Sequence, residues 1–168
     1  MSGSSMEHIE QKLADRGLSL PSVPPPAGCY VTAVPVGNII YTSGHLPLTE
    51  GKLLAEGSNG RIGERHLDAA IQASRIALLN ALASIRSAAG SLDAVERVIK
   101  LTVYVASEPF FNGQHLVADG ASFLLSELFG ERGVHVRSAV GVGELPLGAS
   151  LELELIVQFD PLYPLSKS

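Results

Sequence analysis

Tryptophan is absent from this 168-residue chain, and its aromatics amount to five Phe and four Tyr. A core stacked from rings is therefore excluded, and Val, Leu, Ile and Ala must fill it, a set suited to Ala-rich helices packed closely on a sheet. A single cysteine, Cys29, rules out an intramolecular disulfide and any CxxC metal knuckle, and fits a reducing cytoplasm. No apolar run reaches the roughly 18 residues of a membrane span. The leading MSGSSMEHIEQKL lacks the apolar region of a signal peptide, and Met6 after Ser-Gly-Ser-Ser is a candidate native start. The expectation is a soluble, cytoplasmic protein without a membrane partner. Positive charge is short as well: 12 Lys+Arg against 17 Asp+Glu give a net charge of −5 and a pI near 5.5. That balance leaves no electrostatic footprint for a polyphosphate backbone, so nucleic acid is not the favoured partner. The five histidines, His8, His45, His66, His115 and His135, form no HExxH and no paired ligand spacing. P-loop and G-x-G-x-x-G strings are also missing, and the reading calls for neither metal nor cofactor.

What is present is enough apolar sequence, 46% of residues, to bury one sizeable core, in a chain too short for two ordinary domains. Glu7 to Arg16 has helical spacing at Ile9 and Leu13 and stops at Gly17. A Pro-rich linker follows, so residues 1–27 read as helix plus linker, 28–160 as the domain and 161–168 as a tail. Strands are expected at about Tyr30 to Val34 and Ile39 to Ser43, with Pro35 ending the first. A Gly-, Ser- and Asn-rich loop then runs from Gly44 to Gly63. His66 to Ala89 carries Leu67, Ile71, Leu78, Leu82 and Ile85 near one stripe, interleaved with Ala70, Ala77 and Ala81, and closes at Gly90, the pattern of an amphipathic helix. Val98 to Val105 alternates as a strand with Ile99, Leu101, Val103 and Val105 inward and Lys100, Thr102 and Tyr104 outward. A second helix spans about Gln114 to Phe129. The order ββαβαββ, with helices able to cover one sheet face, predicts an α+β layer whose other face needs a cover, for which self-association is the natural remedy.

The stretch VHVRSAVGVGELPLGASLELELIV, Val134 to Val157, sets one arginine and two glutamates into apolar strands, and such charges need a partner or a task. Period-2 spacing puts Val134, Val136, Ser138, Val140 and Val142 on one face of the first strand, expected to meet the core. His135, Arg137, Ala139 and Gly141 take the opposite face. In the second strand Leu151, Leu153, Leu155 and Val157 point inward, and Glu152, Glu154 and Ile156 outward. Arg137 and Glu152 would share a side if the two strands paired. His135 would then be placed to meet Glu154.

This stretch, with its R-S-x-V, L-P and x-E-x-E, resembles the C-terminal signature of the RidA/YjgF family, the reactive-intermediate deaminases also labelled endoribonuclease L-PSP proteins. GCYVTAVPVGNIIYTSGHLPL, Gly28 to Leu48, is similar to that family's opening strand pair with its tyrosine, G-N and S-G-x-x-P. The resemblance implies a chorismate-mutase-like fold with a mixed sheet, and a homotrimer with its sheets packed inward and ligand clefts between subunits. It also implies cofactor-free hydrolysis of a small 2-imino or enamine acid to a 2-keto acid and ammonia.

Carried over residue by residue, Arg137 holds the substrate carboxylate through its planar fork, and Glu152 activates water. Tyr30 covers the cleft, Ser43 and Gly44 offer close backbone approach, and Ala139, standing where relatives have cysteine, serves through its backbone carbonyl. Each has a plainer alternative. Arg137 and Glu152 can be an ion pair tying strands, Glu152 an interface charge, Tyr30 an ordinary strand residue, and Ser43 and Gly44 a turn. Two departures from the family pattern, Gly120 in place of an asparagine and His45 in place of a glutamine, suggest a reshaped pocket. They keep open a small-carboxylate binding or regulatory module, with His45 as ligand donor or loop residue. Cys29 reads as packing. Endoribonuclease and chorismate mutase readings are weaker, because cationic side chains are too few.

Overall fold

The computed structural model describes residues 8–23, 25 and 28–163; Met1 to Ser5 and the end of the tail lie outside these. Among the described residues three α-helices, α1 (Ile9–Asp15), α2 (Leu67–Ala89) and α3 (Gln114–Phe129), accompany five strands, β1 (Ala33–Val36), β2 (Ile39–Thr42), β3 (Val95–Ala106), β4 (Val136–Val142) and β5 (Leu151–Phe159). The strands form one mixed sheet in the order β1-β2-β5-β3-β4, with only β3 and β4 parallel. Helices α2 and α3 pack on one face of it, the α+β layer expected from the element order. Among the described residues no helix is long and apolar enough to cross a membrane.

Local chemistry explains most of these elements. Gly37, at φ +62°, and Asn38 form the two-residue turn of the β1–β2 hairpin, where glycine tolerates a backbone that other residues resist. Pro35 lies inside β1, opposite Ile40, rather than ending it; β1 is the sheet's edge, where a missing N–H is harmless. Buried Ala70, Ala73, Ala77 and Ala81 give α2 a thin face, and Gly90 at φ +84° closes the helix through its N–H to the Arg86 carbonyl. The short α1 packs against α3 and the turn before β3. Ile9 and Leu13 are buried in the common core, and Asp93 accepts from the Ile9 N–H and touches His8.

The inward set on β3 differs from simple alternation. Its register against β5 shifts between Val98 and Lys100, a β-bulge that gives the core place to Val98 and leaves Ile99 half-buried, as an extra residue reverses the facing of those before it. Leu101, Val103 and Val105 then join Leu151, Leu153, Leu155 and Val157 inside. Strand β4 also departs from expectation. It pairs with β3, not β5, with Leu101 opposite Arg137 and Thr102 opposite Ser138, and residues opposite one another point to the same face. Arg137 and Ala139 are thereby turned to the helix layer, while Val136 and Val140 lie on the open face, 64% and 45% exposed. With Val34, Val36 and Tyr41 they leave an apolar band near both edges of the uncovered face.

Gly120 belongs to helix packing. A Cβ there would overlap the Ile71 carbonyl oxygen and Ser74 Oγ of α2, so the asparagine of the family pattern has no room and Gly120 brings α3 against α2. Gly120→Ala should lower unfolding free energy by about 2 kcal/mol, the usual scale of overpacking, measured by urea denaturation; an unchanged midpoint would contradict this contact.

Candidate functional site

Two groups of polar side chains stand out, on opposite faces of the sheet. The first surrounds Glu152. Tyr104 of β3 lies opposite Glu152 of β5, and Thr102 opposite Glu154, so period 2 brings all four side chains to the open face. The Tyr104 hydroxyl donates to Glu154 Oε1 at 3.2 Å, while Glu152 has no hydrogen-bond or ion-pair partner among the described residues. Burial lifts the Glu152 carboxyl above the ordinary glutamate range, and the adjacent Glu154 charge lifts it further, both disfavouring ionisation. The Tyr104 phenol is raised too, by burial first and then by Glu154. Gly44 lies directly against Glu152: a Cβ at position 44 would overlap Oε1, so glycine is what lets the carboxylate and this loop meet.

The Ser43–Gly44 segment is held from two sides. Ser43 donates through its N–H to the Thr32 carbonyl at 2.9 Å and through Oγ to the Val31 carbonyl at 2.6 Å, tying it to the chain that follows the exposed Tyr30. On the other side His45 Nδ1 donates to the Ser43 carbonyl and Nε2 accepts from Ser84 Oγ of α2, each at 2.8 Å. Burial holds His45 below the ordinary histidine range, with the Ser43 hydrogen bond opposing. Both ring nitrogens are occupied, so the imidazole braces the loop on α2 and is not turned to a ligand. Asn80, one turn before Ser84, donates to the carbonyls of Leu46 and Leu48 at 3.1 and 2.9 Å and completes the clamp.

The second group centres on Arg137. Its Nη1 donates to Asp119 Oδ1 at 2.8 Å and to Ser122 Oγ at 3.0 Å, both on α3. Ser122 Oγ also meets His135 Nε2 at 2.9 Å, and His135 Nδ1 meets the Gly133 carbonyl at 2.6 Å. His135 therefore does not reach Glu154. Nor do Arg137 and Glu152 share a side: β3 separates their strands, and Leu101, opposite Arg137, faces away from Tyr104, opposite Glu152. An ion pair between them within one chain is thus absent. Ala139, two residues on, borders the core on the terminal strand. Cys29 is exposed rather than packed. Sequence reasoning passed over Asp119, Ser122 and Tyr104 as site residues; the outward period of β3 was the signal for Tyr104, and the Asp-x-x-Ser spacing on α3 the signal for the other two.

Residues 10–159 match the family described as "YjgF/chorismate_mutase-like, putative endoribonuclease". The chain belongs to the YjgF family. It is 30% identical over 142 residues to the 2-iminobutanoate/2-iminopropanoate deaminase of Dermatophagoides farinae, covering 84% of this chain and 94% of that one. Among solved structures, protein Atu1372 of Agrobacterium tumefaciens, described as of unknown function, is 40% identical with a TM-score of 0.82, covering 90% of this chain and 92% of its own. TdcF of E. coli with bound serine is 27% identical with a TM-score of 0.56, covering 82% and 94%. The YjgF relatives thus include an imine deaminase and a binder of a small amino acid, and the mixed α+β fold is the one they share.

The raised carboxyl at Glu152 has a consequence for stability. A group whose folded-state pKa is raised contributes stability below its ordinary range that is lost as pH climbs through the raised value. Glu152→Gln, which mimics the protonated form, should therefore melt higher than the parent at neutral pH, with the gap closing toward about pH 4, where the glutamate itself is protonated. Thermal melts across that range check it; a gap independent of pH would contradict the strain on Glu152.

Proposed function

We propose that this protein hydrolyses small 2-imino or enamine acids to 2-keto acids and ammonia, without a cofactor, in clefts formed between copies of the chain. The observation that carries this reading is Glu152: a carboxyl unpartnered among the described residues, its proton affinity raised by burial and Glu154, and seated against a loop glycine where any Cβ would overlap its Oε1. Such a group suits a general base working near neutral pH. Water loses a proton to Glu152 as its oxygen attacks the imine carbon and forms a carbinolamine. Glu152 returns that proton to nitrogen, the hydroxyl proton of the carbinolamine follows through the same carboxylate, and ammonia leaves as the C–N bond breaks and the C=O bond forms. The deaminase relative supports the same chemistry.

Arg137 supplies the carboxylate grip in this proposal. Its place on the opposite face from Glu152, on the sheet's terminal strand, is compatible with one site only if Arg137 and Ala139 of one copy meet Glu152, Ser43 and Gly44 of another, with Tyr30 closing over the substrate. The exposed band of Val34, Val36, Tyr41, Val136 and Val140 supports self-association, since open apolar surface of this kind favours a partner, and the proposed assembly is a homotrimer with sheets inward.

A second reading, a small-carboxylate binding module, is favoured by the serine bound to the TdcF relative. An endoribonuclease is disfavoured by the charge balance, net −5, and by the pairing of Arg16, Arg61, Arg65 and Arg86 with Glu127, Glu144, Glu108 and Glu10 respectively, which offsets four cations that a phosphate backbone would need.

Ammonia release from 2-iminobutanoate separates these readings. In Glu152→Gln, hydrolysis should fall by about 10²- to 10⁴-fold while 2-oxobutanoate still binds, the usual contribution of a general base; parental rates would remove the catalytic role. Arg137→Ala should abolish 2-oxobutanoate binding in calorimetry, and Arg137→Lys should not restore it, because a point charge lacks the planar fork. Light scattering should give a particle of about three times the 17.6 kDa chain mass, and a stable monomer would dismantle the shared cleft.

A further inference from the structure

The protons of the Arg137 network can be assigned one by one. The Gly133 carbonyl can only accept, so His135 Nδ1 carries the hydrogen of their 2.6 Å contact. In the neutral ring Nε2 is then bare and accepts the Ser122 hydroxyl hydrogen at 2.9 Å. With that hydrogen committed, Ser122 presents only lone pairs to Arg137, whose Nη1 donates to it at 3.0 Å. The second Nη1 hydrogen goes to Asp119 Oδ1 at 2.8 Å. Both hydrogens of one guanidinium nitrogen are used, and among the described residues neither Nε nor Nη2 has a hydrogen-bond partner.

We infer that Asp119, Ser122 and His135 are positioning residues that lock Arg137 by Nη1 and leave its Nε–Nη2 edge as a preset grip, selective for ligands with a single carboxylate. The inference rests on the carboxylate-binding role proposed above for Arg137 and adds what fixes and tunes it. Asp119 and Ser122 sit one turn apart on α3, so a single rigid helix holds both anchors. A guanidinium fixed at one nitrogen loses little further freedom when its other edge takes a carboxylate in two parallel hydrogen bonds. Selectivity follows from charge. Asp119 offsets Arg137 within the same pair, with 25% of the arginine side chain and 31% of the aspartate exposed, so the local sum is near zero before a ligand arrives. One incoming carboxylate takes both donors of the free edge; a second carboxylate finds neither a further donor nor a net positive charge in the network, because Asp119 already offsets Arg137.

Calorimetry on the full chain with two probes, 2-oxobutanoate and the dicarboxylate 2-oxoglutarate, tests this, each variant being compared with the parent in thermal melts. Ser122→Ala should weaken 2-oxobutanoate binding about tenfold, the scale of a hydrogen bond to a charged group, and Ser122→Thr, which keeps the hydroxyl, should recover most of it. Asp119→Asn keeps size and an accepting oxygen but removes the charge, and should shift the preference about tenfold toward 2-oxoglutarate. A purely structural role would lower the melting temperature without moving that preference. Parental affinities and preference in both Ser122→Ala and Asp119→Asn, with binding lost in Arg137→Ala, would overturn the inference and leave the role of Arg137 standing. Parental affinity in Arg137→Ala, or no binding of either probe by the parent, would overturn both.

Discussion

Parallel pairing of β4 with β3 governs where the polar side chains of this protein gather, because the register that sets Leu101 opposite Arg137 also decides which layer receives the arginine. A strand's side chains alternate, so a slip of one residue would send Arg137 to the open face and Val136 and Val140 inward. The apolar residues of β4 look like a core face in the sequence, yet the sheet spends them on the uncovered side. The arginine is given to α3, where Asp119 and Ser122 meet it. Hydrophobicity alone would have chosen the opposite arrangement; the α3 crossover and the ion pair it carries accompany the observed one.

The same sheet gathers negative charge on its other side. β5 lies between β2 and β3, which puts Glu152 and Glu154 in the middle of the open face, where a strand with two exposed-side carboxylates meets Tyr104 from one neighbour and Gly44 from the loop after the other. Glu154 has a phenol to donate to it, and Glu152 does not. That asymmetry between two residues of one repeating pattern separates a satisfied acid from one with proton-accepting capacity to spare. The bracing of the loop by His45, Ser84 and Asn80 keeps the backbone beside Glu152 fixed from the helix side of the sheet.

Much of this was legible in the sequence. The long α2 announced itself through its Leu, Ile and Ala stripe and Gly90, and the inward face of β5 through strict alternation. The pairing of strands was not legible, since β4 and β5 are neighbours in the chain but are separated in space by β3, and nothing local to Val134 to Val157 encodes that insertion. The bulge between Val98 and Lys100 was hidden for a related reason, as Val98 and Ile99 are equally good core residues and only the register against β5 chooses between them. Gly120 looked like an altered pocket position because its reason for being glycine lies on another helix, at the Ile71 carbonyl. His45 looked ambiguous because Ser84, its partner, is 39 residues away.

Helix α3 carries Gly120 and Asp119 as adjacent residues, the first seated against α2 and the second against Arg137. The interhelical distance is therefore not a matter of stability alone. Any change at the α2 contact that moves α3 outward drags the aspartate with it, so a mutation buried between two helices would alter how Arg137 is held on the far side of α3. Helix packing and the setting of Arg137 are therefore not independent here. Drift in one must be answered by adjustment in the other, and the narrow seat at Gly120 fixes how much drift the pair tolerates.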